Sequence, residues 1–359
     1  MQRILILSND SFMLWQFRRE LLATMLASSM DVVVSVPFGA HVEDLQGMGC
    51  RLIDTPMGTS GPGGDRALKH RYLQILKEEK PHMVVTYGAR ANICGGLTCR
   101  KLHIPYCANI QASAHLFRSP VMGWLTGRMY RTALKQAKVV FFENPGSASF
   151  FARNKLTTKS QQVLLSGAGV NLTHYAPRPY PENDPIRFLY LGRAKKEKGM
   201  DELLAAIKML YDDCYDVRLD LVGAIDEAYR EPLEQLRQQE LVVIHGYQDD
   251  PRPFYAAADC VVLPSHSEGM SNVLLEAAAS ARPVIASYIP GCREAVDEAR
   301  TGFTCRVQDK YGLYEAMRKM AAMPRQQRAE MGLAGRRRME ELFDKQAVVE
   351  DTMNAIFRQ

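Results

Sequence analysis

Short apolar runs bounded by turn residues recur along this chain, with helix-length segments between them. No other feature constrains the fold as strongly. A strand, a crossover helix and the next strand of one sheet give parallel pairing with helices on both faces. In the first half, strands are expected at residues 3–7, 31–36, 50–53, 83–86, 105–110 and 139–142, with a short one at 163–165. The second half repeats the pattern near 186–191, 217–222, 241–245, 260–263, 284–287 and 303–305. Between them, one helix is expected to carry Trp15, Phe17, Leu21, Leu22, Met25 and Leu26 on its apolar side. Others are expected at 42–48, at about 65–80 ending at Pro81, and at 93–102. The fold class is therefore α/β, with two Rossmann-like, doubly wound parallel-sheet domains.

A chain of 359 residues is long enough for two such domains. Pro177, Pro179, Pro181 and Pro185 crowd into nine residues, which reads as a stiff linker. The expected domains are 1–176 and 186–344, with 177–185 as the linker. The 47% apolar and 24% charged content is that of a folded globular chain. No apolar run approaches the roughly 20 residues that span a bilayer. Residues 1–9 hold one Arg and four consecutive apolar residues, so they are expected to form a first strand and not a signal peptide. The eight Cys show no Cys-x2-Cys spacing, which suggests buried free thiols in a reducing cytosol and not a zinc site or disulfide frame.

Charge is distributed unevenly. Residues 1–180 carry 21 Lys and Arg against 10 Asp and Glu, whereas residues 181–359 carry 24 against 30. From Lys80 to Phe142 there are nine Lys or Arg and no carboxylate. The first half is thus expected to face something anionic: a membrane surface, a diphosphate or nucleic acid. Residues 116–137 add Phe117, Val121, Met122, Trp124, Leu125 and Met129 to four basic residues, a composition that fits a core helix or an interfacial surface. No helix-turn-helix, RNA-binding sheet motif or zinc finger supports nucleic-acid binding.

Residues 259–298 concentrate the chemistry. Cys260–Leu263 reads as a buried strand, residues 264–269 as a tight loop, Ser271 as a helix N-cap, and about 272–281 as an Ala-rich helix. The first turn of such a helix offers unpaired N–H groups and partial positive charge to a phosphate. Glu268 and Glu276 flank that helix mouth; taken alone, such a pair is also what a solvated helix face shows. Arg193 and Lys198 leave the end of the first strand of the second half, where cations could meet a diphosphate as it departs. The same pair also fits a solvated basic loop. The Gly-rich stretch at 58–64 lacks the Lys-Ser/Thr of a phosphate loop and reads as a mobile connection.

The run Ser267-Glu-Gly-Met-Ser-Asn-Val-Leu-Leu-Glu-Ala277 closely resembles the donor-site signature of retaining GT-B glycosyltransferases of family 4. Gly192-Arg-x4-Lys-Gly199 resembles the family's cationic element, and Gly169-Val-Asn171 with Tyr175 resembles its crossing between domains. The resemblance implies a metal-independent retaining transferase that uses a nucleotide sugar, most readily a UDP-sugar, with no other cofactor. It implies an active site in the cleft between domains and a last helix, about 345–359, that crosses back to the first. Lys198 and Arg193 are then expected to stabilise the leaving diphosphate, Glu276 to hold the ribose, and Glu268 to orient a donor-sugar hydroxyl. Gly192, Gly223, Tyr247, Gly269, Met270, Ser271, Asn272 and Val273 complete the expected donor site, bordered by Gly291 and Glu294.

Ser11, Arg90, Asn92, His115 and Asn144 are candidates for the acceptor side, with His115 also a candidate base. The Asn171 variant, Phe142-Glu-Asn144 and the Arg90/Asn92 pair look like bacterial transferases that extend undecaprenyl-diphosphate-linked glycans, one of which adds N-acetylgalactosamine. The implied product is a surface polysaccharide or glycan, and the implied place is the inner face of the cell membrane. A transferase for a soluble acceptor, a sugar-nucleotide epimerase and a non-catalytic anion-binding module remain open alternatives. No Asp-x-Asp of the kind common in metal-dependent transferases is present.

Overall fold

Runs of Val, Ile and Leu with no polar alternation form the strands, as expected where helices cover both faces of a sheet. The computed structural model describes residues 1–59, 61–111 and 120–358. It divides into two units: Met1–Ala168 with Gln346–Gln359, and Gly169–Lys345.

The first unit holds a seven-stranded parallel sheet of β1 (Arg3–Ser8), β2 (Asp31–Val36), β3 (Arg51–Asp54), β4 (Met83–Tyr87), β5 (Tyr106–Ile110), β6 (Val139–Phe142) and β7 (Gln162–Leu164), in the order β3-β2-β1-β4-β5-β6-β7. Asp10 caps the helix Ser11–Ala27 by accepting the Phe12 N–H at 2.9 Å. The buried stripe of that helix is Leu14, Arg18, Leu21, Leu22 and Met25; Trp15, Phe17 and Leu26 are only partly buried. An arginine can take a core position here because its guanidinium meets Glu143 at 2.6 Å, past the end of β6. Periodicity alone could not show that pairing. Val348, Val349 and Ile356 of the closing helix Lys345–Phe357 join the same core as Ile4, Val32 and Met83.

The second unit holds a six-stranded parallel sheet of β8 (Ile186–Leu191), β9 (Val217–Val222), β10 (Val242–Gly246), β11 (Cys260–Leu263), β12 (Val284–Ser287) and β13 (Gly302–Cys305), in the order β10-β9-β8-β11-β12-β13. Its strand order reverses between β8 and β11. In an open α/β sheet, that reversal leaves a crevice beyond the carboxyl ends of the strands.

The proline-rich stretch lies within the second unit. Arg282 donates to the carbonyls of Arg178 and Pro179 at 3.1 and 2.8 Å, and Arg325 to those of Tyr180 and Pro181 at 2.7 and 2.8 Å. Asn183 donates to Ala257 O and to the Asp259 carboxylate, both at 2.8 Å. Residues 177–185 are thus a strap tied down through their carbonyls, which proline leaves intact. The chain passes between units at Ala168/Gly169 and returns at Lys345/Gln346. The two crossing segments pair through Val170 N–H to Phe343 O and Lys345 N–H to Val170 O.

Candidate active site

The reversal between β8 and β11 places two loops side by side, and both carry expected site residues. Lys198 Nζ and Glu268 Oε1 lie 2.5 Å apart, with side chains 29% and 15% exposed. The backbones meet as well: the His266 N–H donates to Glu197 O at 3.0 Å. Gly199, at φ +75°, lies so close to Pro264 that a Cβ there would stand 2.0 Å from its carbonyl oxygen. The imidazole of His266 reaches Glu202 at 3.2 Å, tying the second loop to the helix Met200–Asp212. No motif singled out His266 or Glu202; their pairing is visible only once the strands are ordered.

The helix Asn272–Ala279 starts beside this pair. Ser271 caps it through its hydroxyl, which accepts the Leu274 N–H at 3.4 Å, and its own N–H donates to Gly291 O at 2.8 Å. Of the three N–H groups expected to face an anion, that of Ser271 is therefore engaged. Those of Asn272 and Val273 have no partner among the described residues. Gly291, at φ +88°, closes the same mouth: a Cβ would come within 2.2 Å of Gly269 O. Glu294 holds that turn by accepting the Gly291 N–H at 2.7 Å.

Glu276 lies deeper, 9% exposed, and accepts the Tyr255 hydroxyl at 2.8 Å. Burial and then the Glu276 charge push the Tyr255 hydroxyl well above its ordinary range, so it stays a donor. Burial chiefly, with the Glu268 charge next, likewise keeps the Cys292 thiol protonated. Cys292 is thus a poor nucleophile despite its position. The Arg193 side chain is exposed and makes no hydrogen bond or ion pair among the described residues. Its carbonyl is held by the Tyr190 hydroxyl at 2.8 Å. Gly192 and Gly223 sit side by side: Gly192 N–H donates to Val222 O at 2.9 Å, and Gly223 N–H to Gly246 O at 2.7 Å. Tyr247 follows that second contact and is 62% exposed. Met270 instead packs into the core at 6% exposure, leaving only its backbone to the loop.

Residues 185–323 match the family model described as Glycosyl transferases group 1. Over that segment the chain is similar to a group 1 glycosyltransferase domain. The segment covers the sheet and both loops just described.

Capsular polysaccharide biosynthesis glycosyltransferase CapM of Staphylococcus aureus is 30% identical over 174 residues, covering 47% of this chain and 45% of CapM. The chain thus spans about half the length of that relative. A Campylobacter jejuni relative, the N,N'-diacetylbacillosaminyl-diphospho-undecaprenol alpha-1,3-N-acetylgalactosaminyltransferase, is 24% identical over 335 residues, covering 87% of this chain and 88% of its own. Among solved structures, sucrose-phosphate synthase from Thermosynechococcus elongatus superposes with a TM-score of 0.82 at 21% identity, over 100% of this chain and 99% of that one. Anabaena HepE, solved with UDP and glucose, gives a TM-score of 0.79 at 17% identity over 99% of each chain. The fold class is GT-B.

Outside the matched segment, the first unit holds its candidates tightly. Ser11 is 2% exposed and donates to Ala40 O at 2.8 Å. Asn92, 2% exposed, accepts from Thr86 at 2.6 Å and donates to Asn109 O at 2.8 Å. Asn144 caps the helix Pro145–Arg153 through the Ser147 N–H at 2.8 Å and is buried. All three are engaged in holding the carboxyl edge of the sheet together, a role that one-dimensional spacing could not separate from ligand contact. Arg90 pairs with Asp65 at 3.0 Å and donates to the carbonyls of Gly58 and Thr59, so it secures the Gly-rich connection. That connection is also shorter than expected, because the helix Pro62–Glu79 begins inside it. His115 lies outside the described residues. Asn9, which no motif flagged, joins the loops after β1 and β4 by accepting the Ala91 N–H at 3.1 Å.

Proposed function

We propose that this chain is a retaining glycosyltransferase moving a hexose or N-acetylhexosamine from a nucleotide sugar, most readily a UDP-sugar, to a lipid-linked saccharide. The observation that carries the reading is the meeting of Lys198 and Glu268 at 2.5 Å beside the start of the helix Asn272–Ala279. One crevice then offers cations, free N–H groups and a carboxylate to a sugar-bearing diphosphate. Lys198 and Arg193 stabilise charge on the departing diphosphate, with the Asn272 and Val273 N–H groups. Glu276 holds the ribose in a geometry set by Tyr255. Glu268 orients a sugar hydroxyl and supports the cationic transition state. The bond from the anomeric carbon to the diphosphate oxygen breaks with its electron pair going to that oxygen. The acceptor oxygen bonds to the same face, and its proton passes to the diphosphate.

The pairing of Lys198 with Glu268 has a consequence for binding: the diphosphate competes with the carboxylate for the ammonium group. The lipid-linked acceptor draws support from the Campylobacter jejuni relative, whose name specifies an undecaprenol-linked diphosphosaccharide. The UDP donor draws support from HepE, solved with UDP-glucose. Such an acceptor puts the enzyme at the inner face of the cell membrane.

A thermal-shift screen against UDP-, GDP- and ADP-sugars tests the donor. A ligand at 100 times its Kd adds about 2.7 kcal/mol to stability. A rise in Tm with UDP-sugars that is lost in Lys198→Ala supports the assignment. Equal shifts in the variant and the unaltered chain reject this donor site.

A further inference from the structure

The helix Pro120–Leu134 leaves three large apolar side chains in water. Met122, Trp124 and Leu125 are 59%, 66% and 44% exposed, and no other four consecutive described residues expose three large hydrophobic side chains. The helix is nonetheless anchored, since Tyr130, Ala133 and Leu134 on its other side are buried. A pocket of about 640 Å³ opens along one flank of the helix, where buried Gly123 and half-buried Gly127 contribute no side chain. Trp124, Arg128 and Arg131 form one wall of the pocket, and Phe150 and Leu156 the other. The Arg128 guanidinium lies 5.8 Å from the centre of the Trp124 ring. Arg131 braces the two walls by donating to the carbonyls of Asn154 and Lys155.

The charged side chains that line and flank this groove are basic. Between Glu79 and Glu182 the sequence holds a single carboxylate, Glu143, which is buried and paired with Arg18. Exposed Arg153 and Lys155 flank Asn154, next to the second wall. A basic surface calls for an anionic partner. Aliphatic and indole side chains held out beside it call for one with a hydrocarbon layer just beneath its charge. A bilayer rich in anionic phospholipid meets both conditions, whereas a nucleic acid has no use for exposed Met122 and Leu125.

We propose that this groove seats an anionic phospholipid headgroup, with Met122, Trp124 and Leu125 entering the interfacial layer of the bilayer. The inference deepens the lipid-linked acceptor reading and rests on it for the biological setting. It names the surface by which the first unit reaches the membrane.

The test is co-sedimentation of the full chain with vesicles of phosphatidylcholine alone or mixed equally with phosphatidylglycerol. The chain is expected to sediment with the mixed vesicles at about 50 mM salt and to be released at about 500 mM, where screening is short-ranged. Arg128→Glu should lower partitioning by about five-fold or more. Trp124→Ser with Leu125→Ser should lower it by about ten-fold or more. Thermal melts of the variants should match that of the unaltered chain, since these positions are exposed. The chain has two tryptophans, Trp15 and Trp124, so in a Trp15→Phe background the emission reports Trp124 alone. Its emission should shift to the blue on the mixed vesicles.

Failure to sediment, sedimentation unchanged in folded variants, or a Trp124 response to single-stranded RNA in place of vesicles would each overturn the proposal. No arm uses a sugar donor, so these failures leave the transferase reading standing. Loss of donor binding with vesicle binding retained would strike the transferase reading alone.

Discussion

Two carboxylates eight residues apart in sequence occupy different physical situations. Glu276 is 9% exposed and is matched by the hydroxyl of a buried tyrosine. Glu268 is partly exposed and paired with an ammonium group. A buried polar group that loses its partner carries a desolvation cost, whereas a half-exposed one is rescued by water. Their substitutions should therefore separate. Glu268→Gln should lower kcat by about a hundred-fold or more, as for other groups that act on transition-state charge, with little change in Tm. Glu276→Ala should weaken donor binding and also cost about 1–3 kcal/mol of stability, because it leaves the buried Tyr255 hydroxyl with only a long contact to Val273 O at 3.5 Å. UDP release and urea denaturation, measured on both variants, check the split. Equal stability losses in the two would contradict it.

At the scale of elements, loops act as pairs. The loops after β8 and β11 are joined by the close approach of Gly199, the His266 N–H and the Lys198–Glu268 contact, so the site is a property of two adjacent strands. The proline-rich strap shows the same logic without chemistry. Arg282 is fully buried with no carboxylate at hydrogen-bonding distance among the described residues, and it donates to the carbonyls of Arg178, Pro179 and Ala256. Desolvation lowers its pKa, yet the side chain remains one of the strap's fastenings, beside Arg325. Arg282→Met should cost about 3 kcal/mol in urea denaturation, because it strands several carbonyls in a dry setting. A loss below about 1 kcal/mol would mean that the strap is held elsewhere.

Across the whole molecule, seven of the eight cysteines are buried and only Cys214 is exposed. Burial pushes the Cys50 and Cys94 thiols up to about 11 and those of Cys99, Cys107 and Cys305 up to about 12. A raised pKa keeps a thiol protonated, and only the thiolate alkylates readily. At about pH 8, iodoacetamide should label one cysteine per native chain quickly and all eight after denaturation. Rapid labelling of several native thiols would refute this account of the core. The burial of the cysteines as free thiols was readable from their number and spacing, as were both parallel sheets and the capped helix after β11 from periodicity. Each follows from local preference and burial period, which neighbouring residues determine.

The fates of Ser11, Asn92 and Asn144 were not readable, nor was the seating of Arg18 against Glu143. A polar side chain near a strand end can face a ligand or the sheet edge with the same local sequence. What decides is the partner that folding brings to it, and for Arg18 that partner lies 125 residues away. The amino-acid order by itself therefore determined the sheets, the helices and the cations and acids available for chemistry. Only the tertiary structure decided which of them meet, because strand order and long-range pairing set which polar groups lose water and which keep it.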